Sequence, residues 1–391
     1  DLPGSALDLP RAWLRLPEPQ HESQQETKGL FIYSWDSDRH AQVEHFLRAL
    51  LPDDRPVLRF LHLVSPHYPW IYLPSGHRYV VDSSMFDFPI GAHGIVGERW
   101  GPDTLATRSA HRRYLLQLQH VDRVLGLILD RLEEQNLLDP ALLIVTGDHG
   151  VAFLPGKSSR DPEPETIAAI LPVPLFIKLP GERTSAVSDR NVESIDILPT
   201  IADVLKMPLH HPVDGSSLLD EDQPQRPRKT LITPQGPIFT DPTFPDKYKH
   251  LDKVLADFGD GRDDRLMVSD VRPDMVGQPV ADFKIGPESQ AQLVLQWGDD
   301  SVLESAPDVY PCFYKGMVRN ADEVKLPITI AVALNGEIAG VTQTLRDPES
   351  PELWSVLIDE RRFHLGKNEL EFYQVLGEGE KTELRRCAYH L

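Results

Sequence analysis

Between Thr107 and Gln135, apolar residues return every three or four positions: Leu115, Leu118, Val121, Leu125, Ile128 and Leu132. Arg112, Arg123 and Arg131 fall between them, so the segment predicts one long amphipathic helix with those arginines off its apolar stripe. A shorter helix is predicted over 36–51, with Ala41, Val43, Phe46, Leu47 and Leu50 on one face. Short continuous apolar runs have a different meaning, that of buried strands. They occupy 56–64, 141–146 and 172–178, and a further helix is predicted from about Ser194 to Lys206. Strands alternating with helices from 55 to 206 predict an α/β unit, a mostly parallel sheet flanked by helices.

Beyond residue 222 the pattern changes. Gln223-Pro-Gln-Arg-Pro-Arg228 has the composition of a linker. From about 280 the chain carries short runs at 291–297, 328–334, 338–344, 354–358 and 369–375, with turn residues between them. Asn335-Gly336 between two of these runs is a two-residue hairpin signal. The spacing predicts a C-terminal all-β, sandwich-like domain. The expected division is therefore a polar, proline-rich lead-in over 1–28, an α/β domain over 29–222, a linker and connecting segment over 223–280, and the β domain over 281–391.

Composition narrows the function classes. With 391 residues and 40% apolar content, the chain has material for two cores rather than wholesale disorder. Its formal charge of −20 argues against a nucleic-acid partner, which needs a basic face. Cys312 and Cys387 match no zinc or redox spacing, leaving either one disulfide in an oxidising compartment or two buried thiols. No apolar stretch approaches the roughly 18–20 residues that span a bilayer. The chain opens Asp1-Leu2-Pro3-Gly4, without a starting methionine or signal peptide, and is expected to be a fragment.

The chemistry concentrates in Thr146-Gly147-Asp148-His149-Gly150, directly after the run 141–145. Glycines let the backbone turn sharply at the strand's C-terminal edge, where open α/β sheets bind ligands. A carboxylate beside an imidazole offers a hard oxygen and a neutral nitrogen to a divalent metal. The plainer alternative is a polar turn whose Asp148 caps the next segment.

Five ordered motifs resemble the sulfatase branch of the alkaline phosphatase superfamily, which also includes lipoteichoic acid synthases and phosphoethanolamine transferases. They are Tyr114…His120-Val-Asp-Arg-Val-Leu-Gly126 leading into 132–139; the Thr-Gly-Asp-His-Gly turn; Val173-Pro-Leu-Phe-Ile-Lys-Leu-Pro-Gly181; Val192-Glu-Ser-Ile-Asp-Ile-Leu-Pro-Thr-Ile-Ala-Asp-Val-Leu205; and Asp214-Gly-Ser-Ser-Leu-Leu219. The resemblance covers roughly 55–220. It implies that Asp148 and His149 ligate one divalent metal ion, with calcium, magnesium, manganese and zinc all compatible. It also implies that His67, in Leu63-Val-Ser-Pro-His-Tyr-Pro-Trp70, contacts the substrate's phosphate or leaving group, as hydrogen-bond donor or general acid. The alternative for His67 is a loop histidine packed among prolines and aromatics.

Lys157 and Arg160, just past the metal turn, are candidates to neutralise an anionic substrate, against the commoner fate of surface solvation. Arg78 is a weaker candidate of the same kind. Tyr68, Trp70 and Tyr72 either line a sugar- or lipid-facing cleft or simply pack. His210-His211 are set aside, because the family does not use that loop consistently.

The sequence departs from the family pattern in one respect. Neither a first metal-binding acidic strand nor a Cys/Ser-x-Pro-x-Arg nucleophile, or its threonine counterpart, precedes residue 55. Truncation is the favoured explanation, so this chain alone is expected to be inactive. The C-terminal segment resembles, more loosely, the β-rich tail of bacterial membrane-anchored sulfatase-like proteins. That implies a parent anchored through an N-terminal segment, with this portion extracytoplasmic. The expected function is part of a metal-dependent sulfate- or phosphate-ester hydrolase or transferase acting on a cell-envelope or lipid-linked substrate. The alternative is a degenerate sulfatase-fold ectodomain with a binding or scaffolding role.

Overall fold

Two helices organise the first half of the chain, α1 (Arg39–Ala49) and the 31-residue α2 (Thr104–Glu134). The computed structural model describes residues 39–79, 99–220, 222–233, 236–261, 264–297, 302–303, 309–346, 348 and 350–390. The lead-in 1–28 thus lies outside the described residues. Toward its C-terminal half, Ile128 and Leu132 of the predicted stripe are buried and pack, with Val124, on Val43 of α1 and Leu50 just beyond it, while Val121 and Leu125 are only partly buried. Its N-terminal half departs from the pattern. Arg112, expected off the apolar stripe, is 8% exposed, and Arg113, Gln117 and His120 are buried too, whereas Leu118 is 41% exposed. The cause is tertiary: the 67–72 and 223–280 segments cover this side of the helix, and the latter supplies counter-charges. Arg112 and Arg108 share Asp270, and Arg108 also pairs with Asp257.

Residues 56–64 were expected as a strand but form no ladder among the described residues. Leu61 and Leu63 pack on the α1–α2 cluster, while Leu58 and Phe60 on the other face are exposed. Side chains satisfy backbone groups here: Arg59 donates to the carbonyls of Ala49 and Leu51, and Gln42 to that of His62. The run at 141–146 forms β1 (Leu143–Thr146), followed by the single turn α3 (Ile167–Ile170) and then β2 (Leu175–Lys178).

The α/β architecture with a C-terminal β domain is present, but β1 and β2 pair antiparallel, with Leu143 opposite Lys178 and Thr146 opposite Leu175. Parallel pairing needs a crossover to the far end of the neighbouring strand. The 147–174 connection instead returns to β2 at the end where β1 left off, so the pair runs antiparallel.

The predicted helix at 194–206 is a 3-10 turn continuing into α4 (Ile197–Val204). Its link to the 214–219 motif is physical. Asp196 accepts from the Ser216 N–H and both terminal nitrogens of Arg226, and Thr200 Oγ1 accepts from the Leu218 N–H. A Cβ on Gly215 would stand 1.9 Å from the Ile195 carbonyl oxygen, so only glycine allows this approach. The 223–280 stretch, composed like a linker, carries a ribbon, β3 (Lys229–Thr233) with β4 (Gly236–Thr240), and the helix α5 (Asp246–Phe258).

The β domain holds β5 (Lys284–Ile285), β6 (Gln292–Trp297), β7 (Val302–Leu303), β8 (Phe313–Val318), β9 (Thr329–Leu334), β10 (Glu337–Gln343), β11 (Leu353–Leu357), β12 (Gly366–Lys367), β13 (Leu370–Leu376), β14 (Glu383–Arg386) and β15 (Ala388–His390). Two sheets face each other, ordered β10-β9-β13-β14-β5 and β11-β8-β6-β15. Their shared core is built on Leu293, Tyr314, Ile330, Trp354 and Phe372. The Asn335-Gly336 turn joins β9 to β10 with φ of 54° and 82°, the left-handed pair such a hairpin requires. Cys312 and Cys387 are separate buried thiols, and burial pushes both up in pKa.

A finger from the α/β half enters this core. Leu73 and Tyr79, both fully buried, join the sandwich cluster, and the Tyr79 hydroxyl donates to the Trp70 carbonyl. Arg78 bridges to Val309 through its backbone, and His77 Nδ1 lies 2.8 Å from Glu360 Oε2. Asp103 completes the seam: one oxygen caps α2 at Ala106 N, the other accepts from Arg346 N. No helix among the described residues is long and apolar enough to cross a membrane.

Two outcomes follow. Leu73→Ala is expected to cost about 2–5 kcal/mol and to speed amide exchange in β8 and β11; unchanged exchange there would detach the finger from the sandwich core. Burial raises the Asp196 carboxyl, but bonds from Arg226, Ser216 and Glu193 outweigh it and hold the pKa below the usual range. Its stabilisation is therefore present above the unfolded value of about 4 and is lost as pH falls through the folded one. In urea titrations, Asp196→Asn is expected to be clearly less stable than the native chain at pH 7, with the gap narrowing at pH 3.

Candidate active site

The Thr-Gly-Asp-His-Gly turn is held at both ends. Thr146 Oγ1 donates to the Pro174 carbonyl at 2.9 Å, tying the end of β1 to the entry of β2. Gly150 N donates to the Ile170 carbonyl at 2.8 Å, and a Cβ on Gly150 would lie 2.0 Å from the Ala169 oxygen. The backbone approach therefore excludes any side chain at 150 and fixes the path of 148–149. Asp148 is left well exposed, with His149 about a third exposed.

The imidazole's hydrogen bonds define its tautomer. His149 Nδ1 is 2.8 Å from the Gly150 carbonyl, which can only accept, so Nδ1 carries the proton and Nε2 the lone pair. Asp148 Oδ1 accepts from the His149 N–H at 2.8 Å, and its Oδ2 lies 3.7 Å from Nε2. One carboxylate oxygen and one imidazole lone pair thus face the same space. Arg160 reaches it as well: its Nη2 donates to Nε2 at 2.7 Å, so the lone pair is engaged by Arg160 here and a metal would have to displace that bond.

His67 belongs to the same neighbourhood. Burial depresses its pKa; a backbone bond to Tyr68 opposes this, while the charges of Arg160, Arg39 and His149 depress it further. His67 Nδ1 lies 2.6 Å from the Tyr68 carbonyl, so Nδ1 is the donor and Nε2 the acceptor. In that neutral form His67 receives a hydrogen bond at Nε2. The donor role expected of it requires a second proton, which burial opposes.

Lys157 is placed differently. Its ammonium is held by Glu163 at 3.1 Å and Glu165 at 2.9 Å, and these bonds, Glu165's first, raise its pKa. Its charge is already answered by two carboxylates, so of the two proposed cations Arg160 is the one that meets the turn. Arg78 lies on the seam with the β domain, and His210 and His211 are exposed in their loop. Trp70 and Tyr72 are buried, Trp70 stacked with Trp100 and Tyr72 with His120, so both pack rather than line a cleft.

Two residues absent from the sequence expectations position His67. Arg39 donates to Ser65 Oγ and to the carbonyls of His67, Tyr68 and Pro69. Gln117, fully buried on α2, donates to the His67 carbonyl at 2.9 Å and accepts from the N–H groups of Ile71 and Tyr72. Gln117 lies off the predicted apolar stripe, so the spacing gave no signal for it. Nothing near Arg39 in sequence announced its partners.

For a divalent metal the fit is partial. Asp148 and His149 are of the right chemistry, but the His149 Nε2 lone pair accepts from Arg160, and no group of three or more His, Cys, Asp or Glu side chains converges among the described residues.

Residues 15–207 match the Sulfatase family model. The chain is also similar to two 2,3-bisphosphoglycerate-independent phosphoglycerate mutases. That of Gloeothece citriformis is 27% identical over 150 residues, 36% of this chain and 27% of the relative. That of Prochlorococcus marinus is 30% identical over 129 residues, 31% of this chain and 23% of the relative. The chain spans about a quarter of the length of these curated relatives. With the Asp148-His149 turn at the end of β1, these matches identify residues 15–207 as a sulfatase-family domain of the alkaline phosphatase superfamily.

Proposed function

We propose that this chain is part of a metal-dependent sulfate- or phosphate-ester hydrolase or transferase. The observation that carries the reading is the convergence of Asp148 Oδ2 and His149 Nε2 at 3.7 Å, inside the segment matching the Sulfatase family. Asp148 and His149 would hold the metal, which supplies Lewis acidity to the ester oxygens when bound. The chain's own residues do the rest. The Gly150 carbonyl fixes the His149 ring, as partners behind metal-bound histidines do. Arg160 brings a permanent positive charge to the anionic ester, suited to two-pronged binding of sulfuryl or phosphoryl oxygens. His67 accepts at Nε2 from an incoming hydroxyl.

The substrate we propose is a cell-envelope or lipid-linked ester, handled at the extracytoplasmic face of a bacterial membrane by a membrane-anchored parent. This rests on the likeness of the C-terminal strands to membrane-anchored sulfatase-like proteins. A scaffolding role is the second reading, favoured by the lack of a third ligand among the described residues.

Calorimetric titration with calcium, magnesium, manganese and zinc separates the two readings. At least one of these ions is expected to bind with 1:1 stoichiometry, and Asp148→Ala or His149→Ala to weaken it by about 10-fold or more. Equal binding by the native chain and both variants, or no binding by any, would leave the scaffolding role standing.

A further inference from the structure

Arg160 and a cation compete for one lone pair. With its proton on Nδ1, facing the Gly150 carbonyl at 2.8 Å, the His149 ring has a single acceptor, Nε2. Arg160 Nη2 donates to that nitrogen at 2.7 Å. A lone pair that accepts an N–H cannot also be given to a cation, so the two states exclude each other. Asp148 stays outside this contest. Its Oδ1 accepts from the His149 N–H, and its side chain is 78% exposed.

The loop anchors the arginine by its backbone. Ala152 N donates to the Ser159 carbonyl at 2.9 Å, and the Arg160 and Asp161 N–H groups both donate to Oγ of fully buried Ser158. Arg160 therefore stays beside the turn whichever rotamer it takes, and leaving Nε2 requires only rotation about its side-chain bonds. A tetrahedral oxyanion supplies the reason to leave. It offers the guanidinium an opposite charge and two oxygens at matched spacing, in place of one neutral nitrogen.

We infer that Arg160 makes the loading of this turn by cation and by anion mutually dependent. A sulfuryl or phosphoryl anion draws the guanidinium off His149 Nε2 and so releases the lone pair to a divalent cation. In the absence of the anion, Arg160 holds that ligand and the turn takes up cations weakly. By linkage, the cation tightens the anion by the same factor. This coupling presupposes the metal-binding reading of Asp148 and His149 proposed above, and adds to it a condition on when the metal is held.

The test titrates the full chain by calorimetry with calcium, magnesium, manganese and zinc, in sodium sulfate and in sodium chloride of equal ionic strength. For the ion that binds tightest, sulfate is expected to raise the native chain's affinity by about 10-fold or more. Arg160→Ala is expected to bind it by about 10-fold or more tighter than the native chain in chloride, with little further gain from sulfate. Lys157→Ala removes a neighbouring charge that does not touch His149, and is expected to match the native chain. Near-UV circular dichroism verifies that each variant remains folded. Nitrogen NMR of the cation-free chain reads the exchange directly: sulfate is expected to move the His149 Nε2 resonance toward that of Arg160→Ala. No such movement would overturn the coupling. So would an Arg160→Ala variant that binds the cation no tighter in chloride or keeps the native gain from sulfate, or a Lys157→Ala variant that tightens binding equally. A failure of all three chains to bind any of the four ions, in either salt, would instead remove the metal-binding reading, and the coupling with it.

Discussion

The arrangement of the whole first half turns on the side-chain amide of Gln117. Buried in the middle of α2, it accepts from the N–H groups of Ile71 and Tyr72 and donates to the carbonyl of His67. Each bond contributes about 1 kcal/mol net, but leaving any of these buried groups unpaired costs about 1–3 kcal/mol. The segment 67–72 therefore has one seat on α2. On one side of that seat lies His67, beside the Asp148-His149 turn; on the other, the 70–79 finger enters the sandwich core through Leu73 and Tyr79. Arg39 reinforces the seat from α1 through three backbone carbonyls and Ser65. A single polar residue thus couples the candidate site to the domain interface.

Across that interface, charge is added to the apolar contact of Leu116 with Phe258, Leu266 and Leu357. α2 turns Arg108, Arg112 and Arg113 toward the second domain and its connecting segment, where Asp257, Asp270 and the rings of Phe258 and Phe313 meet them. Guanidinium suits this duty because it stacks on aromatic faces and is less strongly hydrated than an ammonium.

At the candidate site the backbone sets the chemistry before any side chain does. The close approach of Gly150 to Ala169 allows no Cβ, and the Gly150 carbonyl selects the tautomer of His149 that puts the lone pair on Nε2, where Arg160 donates. Arg160 and His67 then complete a small, positively biased neighbourhood at the end of β1. Lys157, equally attractive in the sequence, is drawn away by Glu163 and Glu165, both close behind it in the chain.

Local pattern was enough for much of this protein. Helical spacing located α1, α2 and α4, alternation with turn residues located β6, β9, β10, β11 and β13, and Asn335-Gly336 marked its own hairpin, because these features depend on neighbours a few residues away. The Asp148-His149 pair was legible for the same reason, its glycines and preceding apolar run being contiguous. What the sequence left open depends on partners far along the chain. The antiparallel pairing of β1 with β2 follows from the end at which the 147–174 connection returns, and the ladder-free extension of 56–64 from its lack of a neighbouring strand among the described residues. Arg112 and Gln117 became interior because the 223–280 connecting segment and the 67–72 segment offer them bonds across 158 and 50 residues of sequence. Periodicity measures which way a side chain points along its own element. Only the tertiary structure decides whether water, an apolar core or a matched polar group waits there.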